Sequence, residues 1–167
     1  MRGPCDDPSL PSAASAAARL PRVLLVEDNA TNRLLMRLTL ERAGVAPEVA
    51  EDGAAAVALA CDAARRYDAI LMDLQMPLMD GLEATRRIRA SGGPNAGTRI
   101  LGLTAATEAG LEAECLAAGM DGCLTKPVPR EALIAALLGP PPGRTRLGEA
   151  GPASSGVLGG AATRADR

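Results

Sequence analysis

The stretch Val23-Leu24-Leu25-Val26-Glu27-Asp28-Asn29 decides the fold. Four aliphatic residues in a row, closed by a polar triplet, suit a short strand buried on both faces. A second run of the same build, Ala69-Ile70-Leu71-Met72, opens into Asp73-Leu74-Gln75-Met76-Pro77. Between the two, Leu34, Leu35 and Leu38 recur at helical spacing and Gly44 supplies a stop. Val45–Ala50 reads as a weak strand, placed at an edge by Pro47. Asp52 then caps a helix expected to run to about Arg66. Beyond the second run, Gly81–Ala90 forms a helix with Leu82 and Ile88 on its buried side. Arg99–Leu103 is a fourth strand, and Thr107 caps a helix ending at Gly119. Cys123-Leu124 is a short fifth strand. The last helix opens at Pro129 and buries Leu133, Ile134, Leu137 and Leu138.

Five repetitions of strand then helix imply an α/β fold, a parallel sheet with helices on both faces. The flavodoxin-like, doubly wound order 2-1-3-4-5 follows, with a ligand crevice between the first and third strands at their carboxyl ends. Residues 21–139 carry this pattern. Residues 1–20 hold Pro4, Pro8, Pro11 and a Ser/Ala run, and residues 140–167 begin with three prolines; both are expected to be disordered tails.

Composition narrows the function. The chain of 167 residues has 18 Lys+Arg and 20 Asp+Glu, a net charge of −2, with one Tyr and neither Phe nor Trp. It lacks the aromatic platforms of single-stranded nucleic-acid modules and the basic excess of a DNA-binding surface. Zero histidine excludes Ser-His-Asp and Cys-His catalysis, His-ligated zinc and a phosphohistidine acceptor. Cys5, Cys61, Cys115 and Cys123 form no C-x-x-C pair and are read as reduced thiols of structural or incidental role. No apolar run approaches the ~20 residues that span a bilayer, and no secretory signal is readable, so a cytoplasmic location without membrane insertion is expected. The Arg86-Arg87-Ile88-Arg89 run reads as an exposed helix face, and Met72, Met76 and Met79 as packing residues.

The strand ends carry the chemistry. Glu27, Asp28 and Asp73 would converge on one crevice, where unit charges at ~4 Å repel by about 4 kcal/mol at an effective dielectric of 20. Such a cluster calls for a hard cation, Mg²⁺ or Mn²⁺. Thr104 brings a hydroxyl and Lys126 an ammonium to the same place. Cation, hydroxyl, ammonium and a lone carboxylate suit phosphoryl transfer, with Asp73 as the acceptor that forms an acyl phosphate.

Four segments, VLLVEDNATN at 23–32, ILMDLQMPLMDGLEATRRIR at 70–89, ILGLTAAT at 100–107 and AGMDGCLTKPV at 118–128, together resemble the receiver (response regulator) domain of two-component signalling. The likeness is greatest to receivers of hybrid sensor kinases and phosphorelays. It implies that Asp73 is the phosphoacceptor and that Asp28, Asp73 and the Gln75 backbone carbonyl ligate Mg²⁺, with Glu27 acting through water. Thr104 is similar in place to the family's switch hydroxyl and Lys126 to its phosphate-pairing lysine. The implied partner is a sensor histidine kinase or a histidine phosphotransfer protein, and the chain would be a signalling domain rather than an enzyme. Cys123 departs from the pattern, standing where the family has a rotating Tyr or Phe. Alternatives are a phosphate sink or shuttle, a receiver from a hybrid histidine kinase and an interaction-only pseudo-receiver. A haloacid-dehalogenase-type phosphatase fits less well, because Gln75 replaces its general-acid Asp.

Overall fold

The computed structural model describes residues 20–105 and 110–139. Strands and helices alternate: β1 (Val23–Val26), α1 (Ala30–Arg42), β2 (Glu48–Ala50), α2 (Gly53–Cys61), β3 (Ala69–Asp73), α3 (Gly81–Ala90), β4 (Arg99–Thr104), α4 (Leu111–Ala118), β5 (Gly122–Thr125) and α5 (Arg130–Leu138). The sheet order is β2-β1-β3-β4-β5, all pairs parallel, as the alternation predicts. Leu25 sits opposite Leu71, and Leu71 opposite Leu101.

Side chains two apart on a strand share a face, and the core divides accordingly. Val23 and Leu25 join Met36 and Leu40 of α1 and Leu133 of α5. Leu24 and Val26 join Ala56, Ala60, Ala84, Ile88, Cys115 and Met120. Helices α1 and α5 therefore cover one face, and α2, α3 and α4 the other. With Tyr67 the one ring in the core, packing rests on aliphatic side chains such as Leu71, fully buried on the central strand. Truncation to Ala there costs about 2–5 kcal/mol.

Several expectations need correction. Leu34, Leu35 and Leu38 are exposed; α1 buries Met36 and Leu40 instead. The helix phase is set by Asn29, whose side chain caps the Thr31 and Asn32 N–H groups, and this turns the leucines outward. The α1 stop is as expected: Gly44 takes a φ of 84°, and the Val45 N–H returns to the Leu40 carbonyl at 2.9 Å. That bond takes Val45 out of the strand, so β2 starts at Glu48. Asp52 caps α2 as expected, but α2 ends at Cys61 rather than near Arg66. There the Asp62 carboxylate accepts the Ala64 N–H at 2.9 Å and pairs with Arg65, a local alternative to helical bonding. Helix α5 buries Leu133, keeps Ile134 and Leu137 half-buried and leaves Leu138 exposed; Pro129 is its N-cap residue. Arg89 is not part of an exposed face. It is half-buried and donates to the carbonyls of Gly119, Ala96 and Thr98 and to Asp121. Thr107 lies outside the described residues, and Gly110 is the N-cap residue of α4. The expected tails also lie outside them, Leu20 excepted.

Candidate functional site

The carboxyl ends of β1, β3, β4 and β5 converge, because a parallel sheet brings all of them to one edge. β1 delivers Glu27, fully buried, and Asp28, exposed; β3 ends in Asp73, 5% exposed. One carboxylate oxygen from each lies within 4.8 Å of the other two. β4 ends in Thr104, which is buried, and the chain beyond β5 enters the pocket as Lys126. The Lys126 N–H donates to the Thr104 carbonyl at 2.7 Å, which fixes this entry.

Lys126 neutralises much of the cluster. Its Nζ donates to Glu27 Oε2 at 2.6 Å and to Asp73 Oδ2 at 2.7 Å. Burial alone would push the ammonium pKa down, but the hydrogen bonds to Asp73 and Glu27 outweigh it and hold the pKa above its ordinary value. Burial pushes the Glu27 carboxyl above the usual carboxylate range, against the lowering by Lys126 and Asn32. Asp73 Oδ1 accepts the Gln75 N–H at 3.1 Å, so Lys126 on one oxygen and this turn on the other orient the carboxylate.

Two residues complete the pocket that sequence reasoning assigned no role. Asn32 Nδ2 donates to Glu27 Oε1 at 3.1 Å, giving each Glu27 oxygen a partner. Arg33 Nη1 donates to the carbonyls of Glu27 and Asp28 at 3.0 and 3.1 Å, and the same guanidinium pairs with Glu51 at 2.9 Å. The available signal was their place in the first turn after the Asn29 cap, which points both side chains back at the end of β1.

The loop after Asp73 is held close to the sheet. The Leu74 N–H donates to the Leu103 carbonyl, and the Gly81 N–H to the Leu74 carbonyl, each at 3.1 Å. A Cβ at Gly81 would lie 2.1 Å from the Asp73 carbonyl oxygen, so only glycine allows α3 to start this close behind the pocket. The structure thus brings the side chains of Glu27, Asp28, Asp73 and Lys126 together, with Thr104 at the end of the neighbouring strand and Gln75 beside Asp73. Three hard carboxylates facing one ammonium are a donor set that fits a small divalent cation.

Known proteins resemble this chain in sequence and fold. A family model, response regulator receiver domain, matches residues 23–138. The two-component response regulator ORR41 of Oryza sativa subsp. japonica is 43% identical over 122 residues, 70% of this chain and 91% of that protein. Sensor protein GacS of Pseudomonas syringae pv. syringae is 40% identical over 124 residues, 73% of this chain but only 14% of that protein. Among solved structures, the receiver domain of sensor histidine kinase PA1611 from Pseudomonas aeruginosa PAO1 has a TM-score of 0.65 at 39% identity, covering 71% of this chain and 95% of that one; it carries a magnesium ion in its active-site cleft. With a matched family model over most of its length, this chain belongs to the response regulator receiver domains of two-component phosphorelay signalling.

Proposed function

We propose that Asp73 accepts a phosphoryl group from a phosphohistidine on a sensor histidine kinase or histidine phosphotransfer protein. A carboxylate oxygen forms the new O–P bond, the P–N bond to the donor imidazole breaks, and an acyl phosphate results. One observation carries this reading: Asp73 is buried and oriented, and one of its oxygens lies within 4.8 Å of an oxygen from each of two further carboxylates. Asp28, Asp73 and the Gln75 backbone carbonyl would hold Mg²⁺ (or Mn²⁺), with Glu27 acting through water. When bound, the cation supplies charge neutralisation for the incoming phosphoryl oxygens. Lys126, already on Asp73, pairs with a phosphoryl oxygen, and the Thr104 hydroxyl donates to another. The exposed Leu34, Leu35 and Leu38 of α1 start one turn from the acidic pocket and offer the phosphodonor an apolar landing face.

Acquiring about −1.5 to −2 charge then shifts the population of the Thr104 loop and α4, and with it partner binding. The chain acts as a signalling domain in the cytoplasm rather than as a turnover enzyme. A phosphate sink or shuttle is the second reading, favoured by Cys123 standing in place of a switch aromatic. Incubation with a phosphorylated histidine kinase and Mg²⁺ should label the parent chain, and Asp73→Asn or metal chelation should abolish labelling. Parent-level labelling of Asp73→Asn would overturn the assignment. Amide shifts on adding beryllofluoride that reach residues 110–125 would favour the switch, whereas shifts confined to 73–81 would favour the sink.

A further inference from the structure

Two sulfur atoms and a Leu74 methyl group crowd one bare glycine in the sheet, and a third sulfur lies in the adjoining core. Gly102 lies inside β4, in register with Cys123 of β5. A Cβ built on Gly102 would sit 3.0 Å from Met120 Sδ and 3.2 Å from Cys123 Sγ, so both sulfurs press onto its backbone. Cys115 of α4 is fully buried, in the core cluster against which Cys123 packs. Met120 is 4% exposed, whereas Cys123 is half-buried and gives solvent one approach to the group. None of the three takes part in the acidic pocket.

The environment decides between two chemistries. Burial, reinforced by Cys115, pushes the Cys123 thiol up to about 12. A thiol that keeps its proton is a poor target for hydroperoxides, which react with thiolate. A soft cation instead competes with the proton for sulfur, and thiolate with thioether donors selects Cu(I). We propose that Cys115, Met120 and Cys123 form a binding site for a soft monovalent cation, Cu(I), bridging α4, the turn after it and β5. Binding forms one Cu–S bond to Cys123 and releases its thiol proton to solvent. That leaves a neutral unit suited to burial, with the Cys115 sulfur and the Met120 thioether as further donors. No electron is transferred.

The test uses the full chain carrying Cys5→Ser and Cys61→Ser, reduced and under nitrogen, with Cu(I) supplied as its bicinchoninate complex. One Cu(I) per chain should leave the competitor, with a near-ultraviolet thiolate-to-copper absorption. Adding Cys123→Ser should abolish uptake. Met120→Leu and Gly102→Ala keep both thiols, and each should weaken binding by about tenfold or more. They preserve the test if removing a cysteine unfolds the chain. No copper uptake, uptake unchanged by Cys123→Ser, or affinity unchanged in both thiol-retaining variants would overturn the proposal. So would loss of two titratable thiols without bound copper, which would mean that the pair oxidises instead of ligating.

Discussion

Replacing Lys126 with Met probes the electrostatics on which the acidic pocket depends. The Lys126 side chain is 18% exposed, and the side chains of its two acceptors, Glu27 and Asp73, are 0% and 7% exposed. With all three carboxylates within 4.8 Å, each pair repels by at least about 3.5 kcal/mol at an effective dielectric of 20. Removing one member of a buried ion pair costs about 3–5 kcal/mol. Glu27, already above the usual carboxylate range, relieves part of that by taking up a proton. Lys126→Met should therefore lose about 2–4 kcal/mol of stability in EDTA at neutral pH. Millimolar Mg²⁺ supplies the missing charge and should restore about 2 kcal/mol of the loss. By thermodynamic closure, the variant must then bind Mg²⁺ about 30-fold more tightly than the parent. Urea unfolding followed by far-ultraviolet circular dichroism, with EDTA and with Mg²⁺, measures both quantities. A loss equal in the two buffers, or a variant within about 0.5 kcal/mol of the parent in EDTA, would refute the reasoning.

Three further outcomes follow from single contacts. Tyr67, the sole tyrosine, donates to Glu48 Oε2 at 2.6 Å, and burial raises its pKa above 10.0. Its ultraviolet titration should have a midpoint above 10.0 in the native chain, higher than in urea. Because the unfolded state loses this proton first, the contribution to stability is complete below that pH and falls as pH rises through the folded pKa; a native midpoint no higher than that in urea would contradict this. Gly81→Ala meets the Asp73 carbonyl oxygen at 2.1 Å and should cost about 2 kcal/mol or more in thermal unfolding; an unchanged melting temperature would contradict the tight loop. Arg89→Met strips donors from three carbonyls and from Asp121, so about 3 kcal/mol should be lost, with faster amide exchange at Met120 and Asp121; unchanged exchange there would show that Arg89 does not anchor this turn.

The sheet and the pocket were legible because both depend on short-range signals. A strand buried on both faces must be continuously apolar, so VLLV and AILM announced themselves, and parallel order placed their polar endings together. Charge type then pointed to the chemistry: three carboxylates and one ammonium at a shared edge suit a cation or a phosphoryl group. Asn32 and Arg33 were not legible in the same way. Their roles depend on the rotation of α1 about its own axis, which the Asn29 cap sets and no hydrophobic count reveals.

Helix phase is also where the leucine reading of α1 failed. Apolar spacing shows that a helix has an apolar stripe, not that the stripe faces inward. Met36 and Leu40 fill the core, so Leu34, Leu35 and Leu38 constitute a second stripe that folding leaves uncovered. Arg89 is the converse case: a charge in a basic run, taken as solvated, whose stem lies along Gly119 and whose guanidinium closes three carbonyls from two loops. Gly102 and Cys123 carry the argument into the sheet. A ring at Cys123 would be an ordinary strand residue, and a side chain at Gly102 an ordinary partner. Having neither, this chain sets small beside small across β4 and β5 and fills the space over Gly102 with the Met120 sulfur and a Leu74 methyl group. The signal sits in two positions 21 residues apart, joined only by strand register, and a reading that moves along the chain one element at a time passes over such a pair.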